Sequence, residues 1–310
     1  MQQIVECIPN FSEGRDAAAL ALLQESAASI PGAALLDVHI DADHNRSVLT
    51  LAGSPKAMAE AAFALAKTAV RCIDLTKHHG QHPRMGAVDV IPFVPIKNVT
   101  MSDCVDLAKQ VGERIAKEFA LPVFLYEEAA KNPERKNLAD IRRGGFEGMA
   151  KKMAKQGWKP DFGSNIPHPT AGVVAVGARK PLIAFNINLD TSDIKIAKAV
   201  AKAVRGSSGG LRFCKALGMF LADKGIAQVS MNLVDYEQTP IYRVFEVVKT
   251  EAARYGVKIT GSELVGLAPA KALIDCAEYF LRLENFDMHR HTLENKIDIV
   301  TKQCGHSPKQ

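Results

Sequence analysis

Two stretches in the second half of the chain alternate apolar and polar residues with a strict period of two. They are Ile183-Ala184-Phe185-Asn186-Ile187-Asn188-Leu189 and Val229-Ser230-Met231-Asn232-Leu233. Such a pattern fits a strand with one buried and one polar face and little else. A one-sided strand needs a layer of helices to lie on, and the sequence supplies helices throughout. Leu20, Leu23, Ala27 and Ile30 keep helical spacing until Pro31-Gly32, with Ser12 expected as the cap. From Pro55, Met58, Ala62, Leu65, Ala69 and Cys72 share one helical face. Ser102-Asp103 introduces Val105, Ala108, Val111, Ile115 and Phe119, and Thr191 to Asp193 introduces Ile196, Val200 and Val204. Thr239, Pro240 and Gly256 bracket a helix with Ile241, Val244, Phe245, Val248 and Ala252 inside, and a further helix is expected from Pro269 to Leu283. Short β runs at 4–8, 35–40, 48–52, 90–94, 122–126 and 257–260 stand between these helices.

Hairpins and crossing helices alternate in each half, so the expected class is α+β: two ferredoxin-like α/β sandwiches with a cleft between them. Each helix carries one apolar stripe, which places the helices on one face of each sheet and leaves the other face free. The basic, mixed stretch Lys131 to Lys159 reads as a solvated helical connection. The expected division is a first subdomain over 1–172, a second over 173–294 and a polar, mobile tail over 295–310. With 310 residues, 47% hydrophobic and 24% charged, the chain can fill two cores of about 150 residues each.

The charge balance is +5, from 39 basic and 34 acidic residues in small mixed groups. That excess is too thin to call for nucleic acid and suits a substrate bearing carboxylates. No window is apolar enough to span a bilayer, and the N-terminus lacks the basic region of a signal peptide. The six cysteines form no CxxC pair, so neither a disulfide framework nor a thiolate zinc site is expected, and a reducing cytoplasm is the expected compartment.

Three polar stretches are candidates for chemistry. In His78-His79-Gly80-Gln81-His82-Pro83-Arg84-Met85-Gly86 three histidines fall within five positions. This allows a metal site, a solvated loop, or one imidazole used for proton transfer near neutral pH. Asp37-Val38-His39-Ile40-Asp41-Ala42-Asp43-His44-Asn45-Arg46 puts carboxylates beside histidines and offers the Arg46 fork to a carboxylate. The polar faces of the alternating strands, Asn186, Asn188, Ser230 and Asn232, suit the floor of a binding cleft for a heteroaromatic ring. The turn-rich loop Gly163, Ser164, Asn165, Ile166, Pro167, His168, Pro169, Thr170, Ala171 and Gly172 belongs with them. The Gly/Ser stretch Arg205 to Gly210 fits neither GxGxxG nor a P-loop.

These residues lead to a family. The chain resembles the formiminotransferase family in a series of blocks that occur in order from residue 1 to about 285. They are Val5 to Gly14, Asn45-Arg46, His82 to Gly86, Pro160 to Gly163, Gly177 to Lys180, Ile183 to Leu189, Ala227 to Leu233 and Gly261 to Leu267. The resemblance implies two ferredoxin-like subdomains, a homodimer, and transfer of a formimino group from N-formimino-L-glutamate to N5 of tetrahydrofolate in histidine breakdown. Tetrahydrofolate is then a co-substrate, and no metal is expected. It implies that His82 is the catalytic histidine and that Gly163 to Gly172 is the folate loop. An acidic residue would support His82 from position 39; here that position is His39, which leaves Asp41 or Asp37 for the role. Candidate partners for the substrate are Asn10, Arg46, Arg84, Arg179 and the four polar residues of the alternating strands. The chain also ends before a cyclodeaminase region, so deamination is expected of a separate enzyme. Rival readings are ATP-dependent cyclisation of 5-formyltetrahydrofolate, a metal hydrolase built on His78, His79 and His82, and a folate-binding protein without catalysis.

Overall fold

The computed structural model describes residues 2–80 and 83–297 and divides the chain into two compact units, Met1–Lys180 and Pro181–Gln310. The first unit opens with β1 (Ile4–Cys7) and β2 (Asn10–Phe11), two pieces of one strand position interrupted around Pro9, which has no N–H to give to a ladder. Helix α1 (Ala17–Ala28), the hairpin β3 (Ala33–Asp41) and β4 (Arg46–Gly53), helix α2 (Pro55–Cys72) and β5 (Val88–Lys97) follow. In space the strands run β3, β4, β1 with β2, then β5, all antiparallel, which is the split βαβ arrangement.

Asp16 caps α1, accepting from Ala18 N and Ala19 N. Ser12 does not: its hydroxyl is buried and donates to Gly86 O at 2.7 Å, so it is spent on joining β2 to the histidine-rich loop. Ser54 caps α2. Thr100, not Ser102, caps the next helix and forms a capping box with Asp103.

The unit then grows by α3 (Met101–Phe119), β6 (Val123–Glu127), α4 (Leu138–Arg142), α5 (Gly145–Met153) and β7 (Val174–Ala178). Strand β7 lies between β5 and β6 and is parallel to both. The division therefore falls at Lys180 and Pro181 instead of the expected Gly172, because β7 is an interior strand of the first sheet.

Helices α1, α2 and α3 pack on one face of this sheet, over Cys7, Phe11, Leu49, Leu51, Ile91, Phe93, Leu125 and Val176. The expectation that the other face is free fails over β5, β6 and β7. There Val90, Phe124, Tyr126 and Ala175 meet Ile141, Met149 and Met153 of α4 and α5 in a second small core. The stretch read as a solvated connection is thus a cover, and its charges obscured the three apolar residues that face inward.

The second unit contains β8 (Ile183–Leu189), α6 (Ile194–Val204), β9 (Cys214–Leu221), β10 (Ile226–Leu233), α7 (Ile241–Ala253) and β11 (Ile259–Val265), then α8 (Ala270–Leu281) and α9 (Met288–His291). The antiparallel order β11, β8, β10, β9 repeats the topology of the first unit. Its core joins Ile183, Phe185, Ile187, Leu189, Val229, Met231 and Leu233 to Val200, Val204, Val244 and Val248. The fold is α+β in two sandwich units, as the alternation requires. Of the expected polar tail, residues 298–310 lie outside the described residues.

Candidate active site

His82 lies outside the described residues, but the chain on both sides of it is held. His78 is buried, 7% exposed, and both of its ring nitrogens are engaged. Its Nδ1 accepts from Arg84 Nε at 3.0 Å, and because a guanidinium only donates, Nε2 carries the ring proton and donates to Asn45 O at 2.9 Å. Both nitrogens are thus committed within the protein in this structure. Among the described residues, no group of three or more His, Cys, Asp or Glu side chains could hold a metal ion.

Asn45, at the tip of the β3–β4 hairpin, is buried in the left-handed conformation at φ 49°. Its Oδ1 accepts from Gly14 N at 2.8 Å and its Nδ2 donates to His79 O at 3.2 Å. One side chain thereby ties together the turn after β2, the hairpin tip and the histidine-rich loop. Close approach at that contact excludes a side chain at Gly80, whose Cβ would lie 2.4 Å from His44 O.

The sequence-expected residues separate into distinct roles. Asp41 supports His44, accepting from its N at 2.8 Å and pairing with its Nδ1 at 2.6 Å. Partial burial pushes the Asp41 carboxyl up, but these hydrogen bonds outweigh it and hold the group below its ordinary range. His39 is exposed on the edge strand β3, with Asp37 half-buried two residues before it. Strand register places His39, Asp41, Arg46 and Asn10 on the face away from α1 and α2. There a guanidinium nitrogen of Arg46 donates to Asn10 Oδ1. Burial, and then the neighbouring Arg142, pull the Arg46 pKa down to about 10, against Asp89 and Asp41.

Asp89 was not among the expected site residues. Its side chain is 2% exposed and pairs with Arg142 of α4, accepting from Nε at 2.7 Å. Its other oxygen accepts from Met85 N and Gly86 N, which fixes the chain leaving the histidine-rich loop. Arg84 is committed to Glu147 of α5 through two bonds, 3.0 and 2.7 Å. Arg179 stands elsewhere, beside Glu6 and Tyr126 near the far end of β5, roughly 10–13 Å along the strand from Val90. Burial raises the Glu6 carboxyl, opposed by Arg179.

The loop Gly163 to Gly172 ends in a tight turn, with His168 N donating to Gly172 O and Gly172 N to His168 O. His168 Nδ1 accepts from Thr170 N and Ala171 N, and burial lowers the pKa of the ring. Gly163, Ser164, Asn165, Ile166 and Pro169 are exposed, Ile166 at 74%, while Pro167 and Thr170 are half-buried. Ala87 N donates to Ala171 O and Val173 N to Met85 O, so this loop abuts the end of the histidine-rich one. Glycine is required where they meet: Gly172 has φ +70°, and its Cβ would lie 2.1 Å from Met85 O.

In the second unit the polar row exists as read. Asn186 pairs in register with Ser230 and, on its other side, with Glu263; Asn188 pairs with Gln228. Gln228 Nε2 donates to Asn188 Oδ1 at 2.9 Å, and Asn186 Nδ2 donates to Glu263 Oε2 at 3.4 Å. Asn186, Asn188 and Ser230 are half-buried and Asn232 is exposed. Gln228 and Glu263 belong to this face but were missed. Counting period two back from Ser230 would have found Gln228; Glu263 needed knowledge of which strand pairs with β8.

Comparison with known proteins follows this division. Residues 4–179 match the family described as "Formiminotransferase domain, N-terminal subdomain", and residues 184–308 match "Formiminotransferase domain". A protein of Streptococcus pyogenes serotype M1 named "Glutamate formimidoyltransferase" is 58% identical, over 96% of this chain and 99% of its own. One of the same name from Thermoplasma acidophilum is 48% identical over 95% and 97%. The "Formimidoyltransferase-cyclodeaminase" of Sus scrofa is 41% identical over 98% of this chain, which spans 57% of that protein.

Proposed function

This chain belongs to the formiminotransferase family, and from that premise we infer that it moves the formimino group of N-formimino-L-glutamate to N5 of tetrahydrofolate. The products are 5-formiminotetrahydrofolate and L-glutamate. The observation that carries this reading is the end-to-end match, through both units, to relatives named for that transfer.

Attack by N5 on the amidine carbon forms the new C–N bond and gives a tetrahedral intermediate. Its collapse breaks the bond to the glutamate nitrogen. One proton leaves N5 and one must reach the departing nitrogen, so a single imidazole can act first as base and then as acid. We assign that work to His82, and such transfer typically contributes about 10²–10⁴-fold. No redox partner or metal is needed to balance these steps. Positioning two substrates together supplies much of the remaining acceleration.

Arg46, oriented by Asn10, is the assigned ligand of a substrate carboxylate. Arg179 is a second candidate, at a separate point on the sheet. The amides of Asn186 and Asn188, with Ser230 and Asn232, supply donors and acceptors of the kind a pterin edge requires. Within the first unit, the exposed stretch Gly163 to Ile166 is the assigned folate loop. Asp41 serves His44 in this account, with His39 and Asp37 on the same strand face. The reading extends to a cytoplasmic homodimer. Among the described residues no helix is long and apolar enough to cross a membrane. Light scattering at twice the chain mass tests the dimer.

The deciding experiment follows 5-formiminotetrahydrofolate formation from the two substrates. Turnover by the wild type, with a loss of about 10²–10⁴-fold in His82→Ala and unchanged folate binding, is the expected result. Full turnover by the variant overturns the assignment of His82. Folate binding without any wild-type turnover overturns the activity.

A further inference from the structure

We propose that Arg84 is a positioning residue that, with His78, clamps the base of the loop carrying His82, and that it does not bind a substrate carboxylate. The proposal rests on the transferase reading above and deepens it.

The geometry is that of a guanidinium with every nitrogen engaged inside the protein. Nε donates to His78 Nδ1 at 3.0 Å and Nη2 to His78 O at 3.3 Å. Nη1 and Nη2 also hold the two carboxylate oxygens of Glu147 at 3.0 and 2.7 Å. The Arg84 side chain is 17% exposed. A substrate carboxylate could enter only by displacing Glu147 or His78, so the planar fork has no face to offer it.

The same contacts close a loop. Arg84 stands at the C-terminal end of the chain 78–84 and grips residue 78 at its N-terminal end by both side chain and main chain. Each end is then fixed again from outside. His78 Nε2 donates to Asn45 O, and Asn45 Nδ2 holds His79 O. Arg84 O accepts from Phe146 N at 2.9 Å, at the start of α5. The two ends are thereby pinned to the hairpin tip and to α5. A misplacement of about 1 Å in a reacting group can cost about 10²-fold in rate, which is what such a clamp prevents.

The variant that tests this is Arg84→Lys, which keeps the charge and loses the fork. The expected result is a fall in kcat of roughly 10–100-fold, with KM for N-formimino-L-glutamate within about threefold of wild type. In a His82→Ala background the same change costs no further activity, because a positioning residue works through the group it positions. His78→Gln restores more turnover than His78→Leu, since its amide can both accept from Arg84 and donate to Asn45 O. A readout independent of turnover is amide hydrogen exchange, expected to quicken at residues 78–80 and 84–86 in Arg84→Lys and not in the second unit.

A KM rise of about 10²-fold with kcat kept, or equal losses in both backgrounds, overturns the proposal and makes Arg84 a substrate ligand or a general stabiliser. Unchanged kcat with unchanged exchange also overturns it. Faster exchange in a protein whose wild type shows no turnover would retire the transferase reading and leave the clamp standing.

Discussion

The two units repeat one chain order, β-α-β-β-α-β, and one strand order, yet they are finished differently. In the first, β7 and β6 extend the sheet in parallel and α4 and α5 cover its second face. Buried ion pairs hold that extension: Asp89 with Arg142, and Arg135 with Asp161, whose side chain is also 2% exposed. In the second unit the sheet has four antiparallel strands, its polar face carries amides, and ion pairs such as Lys271 with Asp275 lie on helix surfaces. The difference teaches that topology did not decide use. The first unit uses buried charge to fix irregular loops beside a sheet; the second keeps regular strands and presents a row of amides and a hydroxyl, with Glu263 bonded to Asn186 at its edge.

Substitutions of similar size should therefore cost very different amounts in the two units. Asp89→Ala leaves Arg142 without its carboxylate in a buried site and should destabilise the first unit by about 3–5 kcal/mol, read by chemical denaturation. The protein has one tryptophan, Trp158, packed on the α4–α5 core, so its fluorescence reports unfolding in the first unit. Met149→Ala empties part of that core and should cost about 2–5 kcal/mol by the same signal. Ser230→Ala, on the half-buried face of the second unit, should stay within about 0.5 kcal/mol while weakening folate binding. Equal costs for Met149→Ala and Ser230→Ala would break the comparison, because the cover would then be dispensable.

The smallest expected effect concerns pH. Burial lowers the His168 pKa below its ordinary 6.5, so at pH values just below that the unfolded chain binds the proton more readily than the folded one. Stability therefore falls as pH drops through about 6.5, until the folded pKa is passed, and rises again on return. Protonation would also cost the ring nitrogen its two backbone donors. A His168→Gln variant should flatten this part of the stability profile; an unchanged slope would assign it to other groups.

What could be read from the sequence was what local pattern determines. Period two located β8 and β10, and apolar spacing with stop signals located most helices. β7 escaped because an interior parallel strand, Val174 to Ala178, is buried on both faces and so shows no alternation. β9 escaped because Gly218 and the exposed Leu217 and Phe220 blur its pattern. In the site, residue types drew attention to Arg46 and Arg84 alike, and both were read as candidate partners of a substrate carboxylate. Only the fold reveals that α5 brings Glu147 to Arg84, from 63 residues away. Asn45 was visible as a turn residue, but its hold on three segments depends on contacts across 31 and 34 positions.

The place of β7 has a consequence for how the protein is made. Residues 174–178 are synthesised after β5 and β6, yet they fill the slot between them. Until they emerge from the ribosome, those two strands have no parallel partner and expose edges that are hazardous to neighbours. The first sheet therefore cannot be completed before the whole first unit has been translated, and the last strand to appear is the one that locks it. A translational pause far enough beyond codon 180 for residues 174–178 to have left the ribosome would give that insertion time, whereas a nascent chain released short of it should be prone to aggregation.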